Sequence, residues 1–249
     1  MTENSVSAKG HWRKWLVLAA ALFFAVLTAR LGVWQLSRAE QKLALQQAID
    51  QQSTLPVLTT AELLNEPALW QSTHRRVQIE GQWLPEHTVY LDNRQHHGQA
   101  GFWVMAPFRW STGQVVWVQR GWVQRDLRDA RKAPSVTTPS GQVVITGRLA
   151  ADLSHMVELT SGVEPVSGAA RIQANLDRAQ MQAMVSDKVS GVLIQTDADS
   201  EGLKRDWTVV SVSADKNTAY AFQWFALSGL ITFLYVWFQW IRPFRHART

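Results

Sequence analysis

The sequence predicts a membrane protein in which two transmembrane helices flank a mainly antiparallel β domain, a barrel or a sandwich with a few helices, outside the cytoplasm. Three observations lead to this prediction. Two long apolar segments lie near the ends of the 249-residue chain, and apolar and polar residues alternate through its middle. The whole formal net charge of +5 lies on the two tails, because residues 1–14 contribute +2 and residues 242–249 contribute +3.

The first apolar segment runs from Trp15 to Trp34 and contains one charged residue, Arg30, near its end. About 20 helical residues span about 30 Å, the thickness of the hydrocarbon core of a bilayer. A cleavable signal peptide also has a basic start and an apolar core, but this core is long and Leu27 to Ala29 form a poor cleavage site. An uncleaved anchor is therefore the favoured interpretation.

The second apolar segment, residues 220–241, contains 22 residues without a charge, which suffices for a second span. Because Lys and Arg concentrate on the cytoplasmic side of membrane proteins, the basic tails predict that both termini are cytoplasmic in a plasma (inner) membrane. The predicted segments are a cytoplasmic tail over 1–14, a first span over 15–34, a periplasmic β-rich domain over 35–219, a second span over 220–241 and a cytoplasmic tail over 242–249.

Within the middle domain, residues 35–52 contain no Gly or Pro and are predicted to continue the first helix. A short helix follows around residues 60–64. A helical insert is predicted near 175–185 and an exposed loop over 131–141. Seven segments alternate with period two and predict strands: 76–83, 88–91, 102–108, 114–122, 142–149, 192–196 and 207–212.

The composition excludes several function classes. The chain has no Cys, which excludes a disulfide scaffold, a thiolate metal site and a cysteine nucleophile. Basic and acidic residues balance between the tails, which disfavours a nucleic-acid-binding surface. No zinc-protease, phosphate-loop, nucleophile-elbow or dinucleotide motif occurs, so the sequence does not support an enzyme.

Three histidines, His87, His96 and His97, cluster in the sequence. Neighbouring residues of a strand point to opposite faces, so His96 and His97 could share a metal ion only in the turn that Gly98 predicts. An exposed polar loop is the better interpretation, and no metal site is assigned. A copper or zinc site is the alternative.

The segment after the first span contains Trp34, Gln35, Arg38 and Lys42. Trp34, Arg38 and Lys42 are spaced i, i+4 and i+8, which places them on one helical face just outside the lipid. An interfacial anchor and a specific docking role both fit this pattern.

Two strand segments carry unusual residues. Residues 90–103 predict a strand that runs into an Asp-Asn turn with Gly98 and Gly101, and Arg94 lies in this segment. In residues 115–126, Arg120 and Gly121 predict a bulge or a close approach of the backbone before Trp122. We expect both arginines to order turns by hydrogen bonding to carbonyls or acids rather than to act catalytically.

In this order, the patterns resemble the surfeit locus assembly-factor family over about residues 31–240. The residues that carry the resemblance are Gly32, Trp34, Gln35, Arg38, Lys42, Gly81, Leu91, Asp92, Asn93, Arg94, Gly98, Gly101, Arg120, Gly121, Trp122, Tyr220, Ala221, Gln223, Trp224 and Phe225.

The resemblance implies a non-enzymatic, chaperone-like factor of respiratory-chain biogenesis that helps to assemble cytochrome c oxidase and to mature the haem a centre of its subunit I. The implied partners are subunit I or other oxidase assembly factors, within the lipid bilayer. Some bacterial members look like haem a binders that use a His shortly before the second span and a Trp in its first turns. Trp224 matches the Trp, whereas Asn217 stands where the His would be.

The amide of Asn is a poor iron ligand. The resemblance therefore implies no firm cofactor and at most a transient contact with haem a at Asn217, Tyr220 and Trp224.

A second function class is a membrane-tethered periplasmic module that binds a small ligand or a metal through His87, His96 and His97. Small residues spaced four apart let helices approach closely in lipid, which a mere tether would not need. Such spacing is found at Ala21, Ala25 and Ala29, and at Phe225 and Gly229.

Overall fold

The computed structural model describes residues 4–126, 133–151, 171–207 and 210–242. In chain order its elements are α1 (Asn4–Ser53), β1 (Leu58–Thr59), α2 (Thr60–Asn65), a 3-10 turn (Pro67–Gln71), β2 (Arg76–Trp83), a 3-10 turn (Pro85–His87), β3 (Val89–His96), β4 (Gln99–Ser111), β5 (Gln114–Gln124), β6 (Val143–Ala150), β7 (Arg171–Gln173), α3 (Arg178–Met184), β8 (Lys188–Gln195), α4 (Val210–Val236) and a π-helical turn (Trp237–Ile241). The chain divides into two units, Met1–Gln47 with Val209–Thr249, and Ala48–Thr208.

Two helical segments, Trp12–Ser53 and Ala214–Ile241, are long and apolar enough to cross a membrane by length and composition. Most of the large apolar side chains that the structure leaves exposed lie on these two segments. Lipid would cover such side chains. The predicted helical continuation over residues 35–52 is confirmed, because α1 runs without a break to Ser53.

The second unit is a barrel. Its closed ring has the strand order β2-β6-β8-β5-β4, and β4 returns to β2 through the pairs Gln82↔Arg109 and Trp83↔Phe108. Strands β1, β3 and β7 extend the sheet beyond the ring. The predicted fold class is confirmed, although β1–β2, β3–β7 and β5–β8 pair in parallel and the other five pairs are antiparallel.

Alternation along the strands builds the core of the barrel. In β2 every second residue is buried, and Val77, Ile79 and Trp83 point into one cluster with Phe108. Strand β5 is buried on both faces, and Trp117 on its other face packs in a second cluster with Met181 of α3. The short helix α2 and the helical insert α3 are confirmed, each with a capping box.

Six of the seven predicted strands are present, with ends that differ by a few residues. The short strands β1 and β7 carry too few residues for an alternation to be visible. Of the predicted loop, residues 131–132 lie outside the described residues, and residues 133–141 form no helix or strand.

The predicted strand over Trp207–Val212 is wrong. Within the described residues, Trp207 lies outside the sheet, and Val210 begins α4. The pattern V-S-V-S resembles a strand locally, but a helix that is already nucleated in the span extends at low cost into flanking residues.

The predicted Asp-Asn turn is also wrong. Strand β3 continues through Asp92 and Asn93, and the register against β4 shifts between Leu91 and Arg94. Asn93 has a positive φ of 58°, which Asn tolerates better than most residues, so the pair forms a bulge. The chain turns at His97 and Gly98, where φ is 47° and 77°.

Candidate functional site

A polar clamp joins α1 to α4. The Lys42 ammonium donates to Asn217 Oδ1 at 2.6 Å, and Asn217 Nδ2 donates to Gln35 Oε1 at 2.5 Å. Each of these residues belongs to a segment that the sequence singled out. The clamp brings together residues that are 175 and 182 positions apart in the chain.

Close packing continues along the same pair of helices. A Cβ on Gly32 would lie 2.8 Å from the ring of Phe225, so Gly32 leaves room for that ring. The Ser228 hydroxyl donates to the Ala25 carbonyl at 2.8 Å. A Cβ on Gly229 would meet nothing within 4 Å, so of the pair Phe225 and Gly229 it is Phe225 that takes part in the close approach, against Gly32.

The motif after the first span is divided between two environments. Gln35 and Lys42 belong to the clamp with Asn217, whereas Trp34 is 54% exposed. Arg38 is exposed as well and donates to Gln41 of its own helix at 3.0 Å. An α-helix has 3.6 residues per turn, so residues spaced four apart are not fully aligned along it. Positions 34, 38 and 42 therefore lie progressively further around the helix axis.

Tyr220 and Trp224 follow Asn217 on α4. Trp224 lies two turns after Asn217 on the same helical face and is half-buried, whereas Tyr220 is exposed. The usual protein ligands of a haem iron are His, Met, Cys and Tyr side chains, and Asn is not among them. Both polar atoms of the Asn217 amide are already bonded to side chains of α1, so this position does not fit axial ligation.

A buried arginine network lies inside the barrel domain. Arg120 is fully buried and donates to Thr138 Oγ1 at 2.6 Å, to the Thr137 carbonyl at 3.0 Å and to Glu201 Oε2 at 2.9 Å. Its guanidinium carbon lies 4.5 Å from the ring centroid of Trp83. These contacts confirm the expectation that Arg120 orders neighbouring segments through carbonyls and acids.

Arg205 completes this network. It donates to the same oxygen of Glu201 at 2.8 Å and to the Arg120 carbonyl at 2.7 Å. Burial lowers the pKa of Arg120, while its hydrogen bond to Glu201 acts in the opposite direction. One carboxylate therefore holds two buried guanidinium groups. Their other bonded donors reach backbone and hydroxyl oxygens, whereas Arg120 Nε is buried without a hydrogen-bond partner among the described residues.

The predicted bulge at Arg120 and Gly121 is confirmed. Val104 pairs with Gly121 and Met105 pairs with Gln119, which leaves Arg120 as the extra residue of β5. A Cβ on Gly121 would lie 2.7 Å from Leu203 Cβ and 2.9 Å from the Lys204 carbonyl. The glycine therefore allows the segment around Lys204 to pair with β5.

Arg94, Gly101 and Trp122 come together next to this bulge, near the same C-terminal end of β5. The Trp122 indole donates to the Arg94 carbonyl at 2.8 Å, and a Cβ on Gly101 would collide with the Trp122 ring and the Val123 carbonyl. The Arg94 guanidinium donates to the Ala174 carbonyl at 2.9 Å and lies over the Trp103 ring. Burial lowers the pKa of Arg94.

The hairpin turn between β3 and β4 places two histidines against one acid. His96 Nε2 lies 3.0 Å from Asp206 Oδ1, and His97 Nε2 lies 3.0 Å from Asp206 Oδ2. The three ligand atoms lie within 4.8 Å of one another. His87 is not part of this group and lies 3.7 Å from Glu86.

Sequence reasoning missed Glu201, Arg205 and Asp206. All three lie in the segment between β8 and α4. The acids of this segment and Gly202 are typical of an exposed charged loop, so the sequence provides no reason to single these residues out. The only local signal is the Glu201-Gly202 pair, a typical turn dipeptide, and both residues have a positive φ. Their partners are remote in the chain.

Comparison with known proteins gives a match to the sequence model of the SURF1 family over residues 22–229. The match includes most of both helices and the whole described barrel. The chain belongs to the SURF1 family. The resemblance to the surfeit locus family that the motifs predicted is thereby confirmed.

Several members of the SURF1 family are similar to this chain. A SURF1-like protein of Rickettsia felis is 31% identical over 107 residues, which cover 42% of this chain and 45% of that protein. The cytochrome oxidase assembly protein SHY1 of Saccharomyces cerevisiae is 27% identical over 51% of this chain and 33% of that protein. A SURF1-like protein of Rickettsia prowazekii is 27% identical over 86% of this chain and 85% of that protein. The chain thus spans less than half the length of the Rickettsia felis and yeast relatives in these matches.

Proposed function

We propose that this protein is a non-enzymatic assembly factor for cytochrome c oxidase. The observation that carries the proposal is the SURF1 family match, which runs from the first span through the barrel into the second span. The yeast relative is named a cytochrome oxidase assembly protein. The arginine network supports a role without turnover, because its charged groups bond to one another and to backbone oxygens.

The partner is oxidase subunit I or another oxidase assembly factor, bound within the bilayer. The packed helices support this proposal over a mere tether, because tethers do not need the Gly32–Phe225 contact or the clamp at Asn217. Trp34 and Arg38 remain exposed beside that clamp and offer an aromatic and a cationic contact to a partner.

Co-purification from mild detergent tests this partner surface. Trp34→Ala combined with Arg38→Ala should lower recovery of oxidase subunit I on the tagged chain several-fold at unchanged chain abundance. The matched control is Leu43→Ala, which removes another exposed apolar side chain of α1. If the parent chain, the double variant and Leu43→Ala recover equal amounts of subunit I, Trp34 and Arg38 do not form the partner surface.

The proposed location is the inner membrane, with both termini in the cytoplasm and the barrel in the periplasm. The basic tails support this orientation. A reporter that is active only in the periplasm, fused after Thr249, should be inactive. An active fusion, or a mature protein that begins near Arg30, would contradict the orientation or the retained first span.

The finer role that we propose is help in maturing the haem a centre of subunit I, without ligation of the iron through position 217. The purified chain should carry little or no haem a, and Asn217→His should raise its haem content. Deletion of the gene should lower oxidase activity and haem a absorbance in membranes without abolishing them. Near-stoichiometric, six-coordinate haem in the native chain would contradict the argument from Asn217.

A second candidate function is a membrane-tethered module that binds a metal or a small ligand. The convergence of His96 and His97 on Asp206 favours it. The deletion experiment separates the two functions, since a module unrelated to the oxidase leaves oxidase activity unchanged when its gene is lost.

A further inference from the structure

The hairpin turn explains how His96 and His97, which are consecutive in the chain, both contact Asp206. Consecutive residues of a strand point to opposite faces, yet both imidazoles reach the carboxylate of Asp206. The reason is the backbone at His97, whose φ of 47° starts the two-residue turn that Gly98 completes. A residue other than glycine rarely holds this conformation, so the turn brings the two rings together at a conformational cost.

Neighbouring residues hold the group of His96, His97 and Asp206 in place. The His96 ring packs against the Trp122 ring with centroids 4.8 Å apart, and only 14% of the His96 side chain is exposed. Trp122 is fixed in turn by its bond to the Arg94 carbonyl.

Two imidazole nitrogens and one carboxylate oxygen form a typical donor set for a divalent transition-metal ion. In a tetrahedral zinc site, ligand atoms about 2.1 Å from the metal are about 3.4 Å from each other. The two nitrogen–oxygen separations here are 3.0 Å, and all three atoms lie within 4.8 Å. A metal ion therefore needs only small side-chain rotations to reach all three.

The surroundings leave room for further ligands of the ion. The three residues line a pocket of about 550 Å³ together with Gln99, Trp122 and Lys204. His97 is largely exposed, so the ion has a path from solvent. Three protein ligands with open positions are typical of sites where water or an exchanging ligand completes the coordination.

We propose that His96, His97 and Asp206 form a binding site for one divalent transition-metal ion, of the Zn²⁺ or Cu²⁺ type. The ion takes the place of the two hydrogens between the rings and the carboxylate, and each neutral imidazole then carries its proton on Nδ1. The site ties the β3–β4 turn to the segment before α4. It is independent of the proposed role in oxidase assembly.

Zinc titration of the full-length protein in mild detergent tests the site. The chain carries a histidine-free affinity tag and is first stripped with a chelator. We expect one Zn²⁺ per chain by calorimetry at this site, and a zinc-dependent rise in melting temperature because the ion links residues 109 positions apart. His97→Asn and Asp206→Asn should each weaken binding at least tenfold and remove the rise.

Asn is chosen at position 97 because it tolerates a positive φ. The matched control is His87→Asn, which removes a histidine of the same domain outside the group and should leave affinity unchanged. Absence of zinc binding in the parent chain, binding retained in both His97→Asn and Asp206→Asn, or an equal loss in His87→Asn would each overturn the site.

Electron paramagnetic resonance of the unsubstituted chain with one equivalent of Cu²⁺ gives a second test that needs no variant. The spectrum should show hyperfine structure from two nitrogens. This measurement decides the question if either variant loses the far-UV circular dichroism of the parent. A spectrum of aqueous Cu²⁺, without nitrogen coupling, would overturn the proposal.

Discussion

The paired helices and the barrel domain use buried polar side chains in different ways. Between the described residues of α1 and α4, Asn217 bonds to both Lys42 and Gln35, and the Ser228 hydroxyl donates to a backbone carbonyl. In the barrel domain, by contrast, two buried arginines converge on one carboxylate, Glu201.

The two regions also differ in where their apolar side chains lie. The long helices leave most of their large apolar residues exposed, whereas the barrel buries three clusters of them. Within lipid, the hydrophobic effect does not favour the association of helices. Packing of small residues and a few polar hydrogen bonds must therefore hold the helices together. In the barrel, burial drives folding and can offset the cost of charged groups in its interior.

The largest expected effect is on the arginine network. Arg120→Ala should lower the free energy of unfolding by about 3–5 kcal/mol, because it removes one of the two buried cations that balance Glu201 and leaves the Thr137 carbonyl and the Thr138 hydroxyl without this donor. Denaturant unfolding of the full chain in mild detergent, followed by tryptophan fluorescence, measures this loss.

The matched control for Arg120 is Arg109→Ala. Arg109 also forms an ion pair in the barrel, with Asp187 at 2.6 Å, but its side chain is 45% exposed. Exposed pairs contribute about 1 kcal/mol or less. An abundant, stable Arg120→Ala protein that loses oxidase assembly would instead assign the residue to partner binding.

Glycines give the second comparison between the regions. Gly121→Ala should destabilise the barrel by about 1–3 kcal/mol, because the new Cβ meets the Lys204 carbonyl, which is backbone and cannot rotate away. Gly229→Ala on α4 faces open space and should be neutral or stabilising by up to about 1 kcal/mol. Thermal unfolding of both variants checks the pair, and equal melting temperatures would contradict the close approach at Gly121.

Sequence patterns were sufficient for both long helices, for the short helices α2 and α3, for six strands and for the bulge at Arg120. Period two and period 3.6 are local, and a Gly beside an Arg inside a strand already indicates a local irregularity. The strand predicted at Trp207–Val212 failed because its local pattern competes with a helix that begins further along the chain.

The candidate sites could not be predicted in the same way. The bonds of Asn217 run to Gln35 and Lys42, 182 and 175 positions away in the chain, and no local pattern indicates them. Asp206 joins His96 and His97 across more than a hundred residues, and Glu201 meets Arg120 across 81. Such pairs form only when the barrel closes. A local sequence pattern carries no information about which distant residues that closure brings together.

The polar clamp should show a smaller effect than the arginine network. A double-mutant cycle with Lys42→Met and Asn217→Leu should give a coupling free energy of about 0.5–1.5 kcal/mol, the range for side-chain bonds between membrane helices. Unfolding in mixed detergent micelles measures it. A parallel cycle with Arg38→Met should be additive, because Arg38 bonds to Gln41 of its own helix. A coupling near zero in both cycles would contradict the clamp.

The smallest expected effect is a pH dependence that belongs to the barrel domain. The backbone N–H of Arg205, followed by the Lys204 side chain, lowers the pKa of Asp199 in the folded protein. A carboxyl with a lowered folded pKa contributes stability above its unfolded value, which is about pH 3.9, and this contribution is lost as pH falls through the lowered value. The melting temperature should therefore fall below about pH 4, and Asp199→Asn should flatten that decline while Lys204→Gln flattens it in part. The contribution is small because 42% of the Asp199 side chain is exposed and solvent screens its interactions. An acid decline of full size in Asp199→Asn would show that other carboxyls produce it.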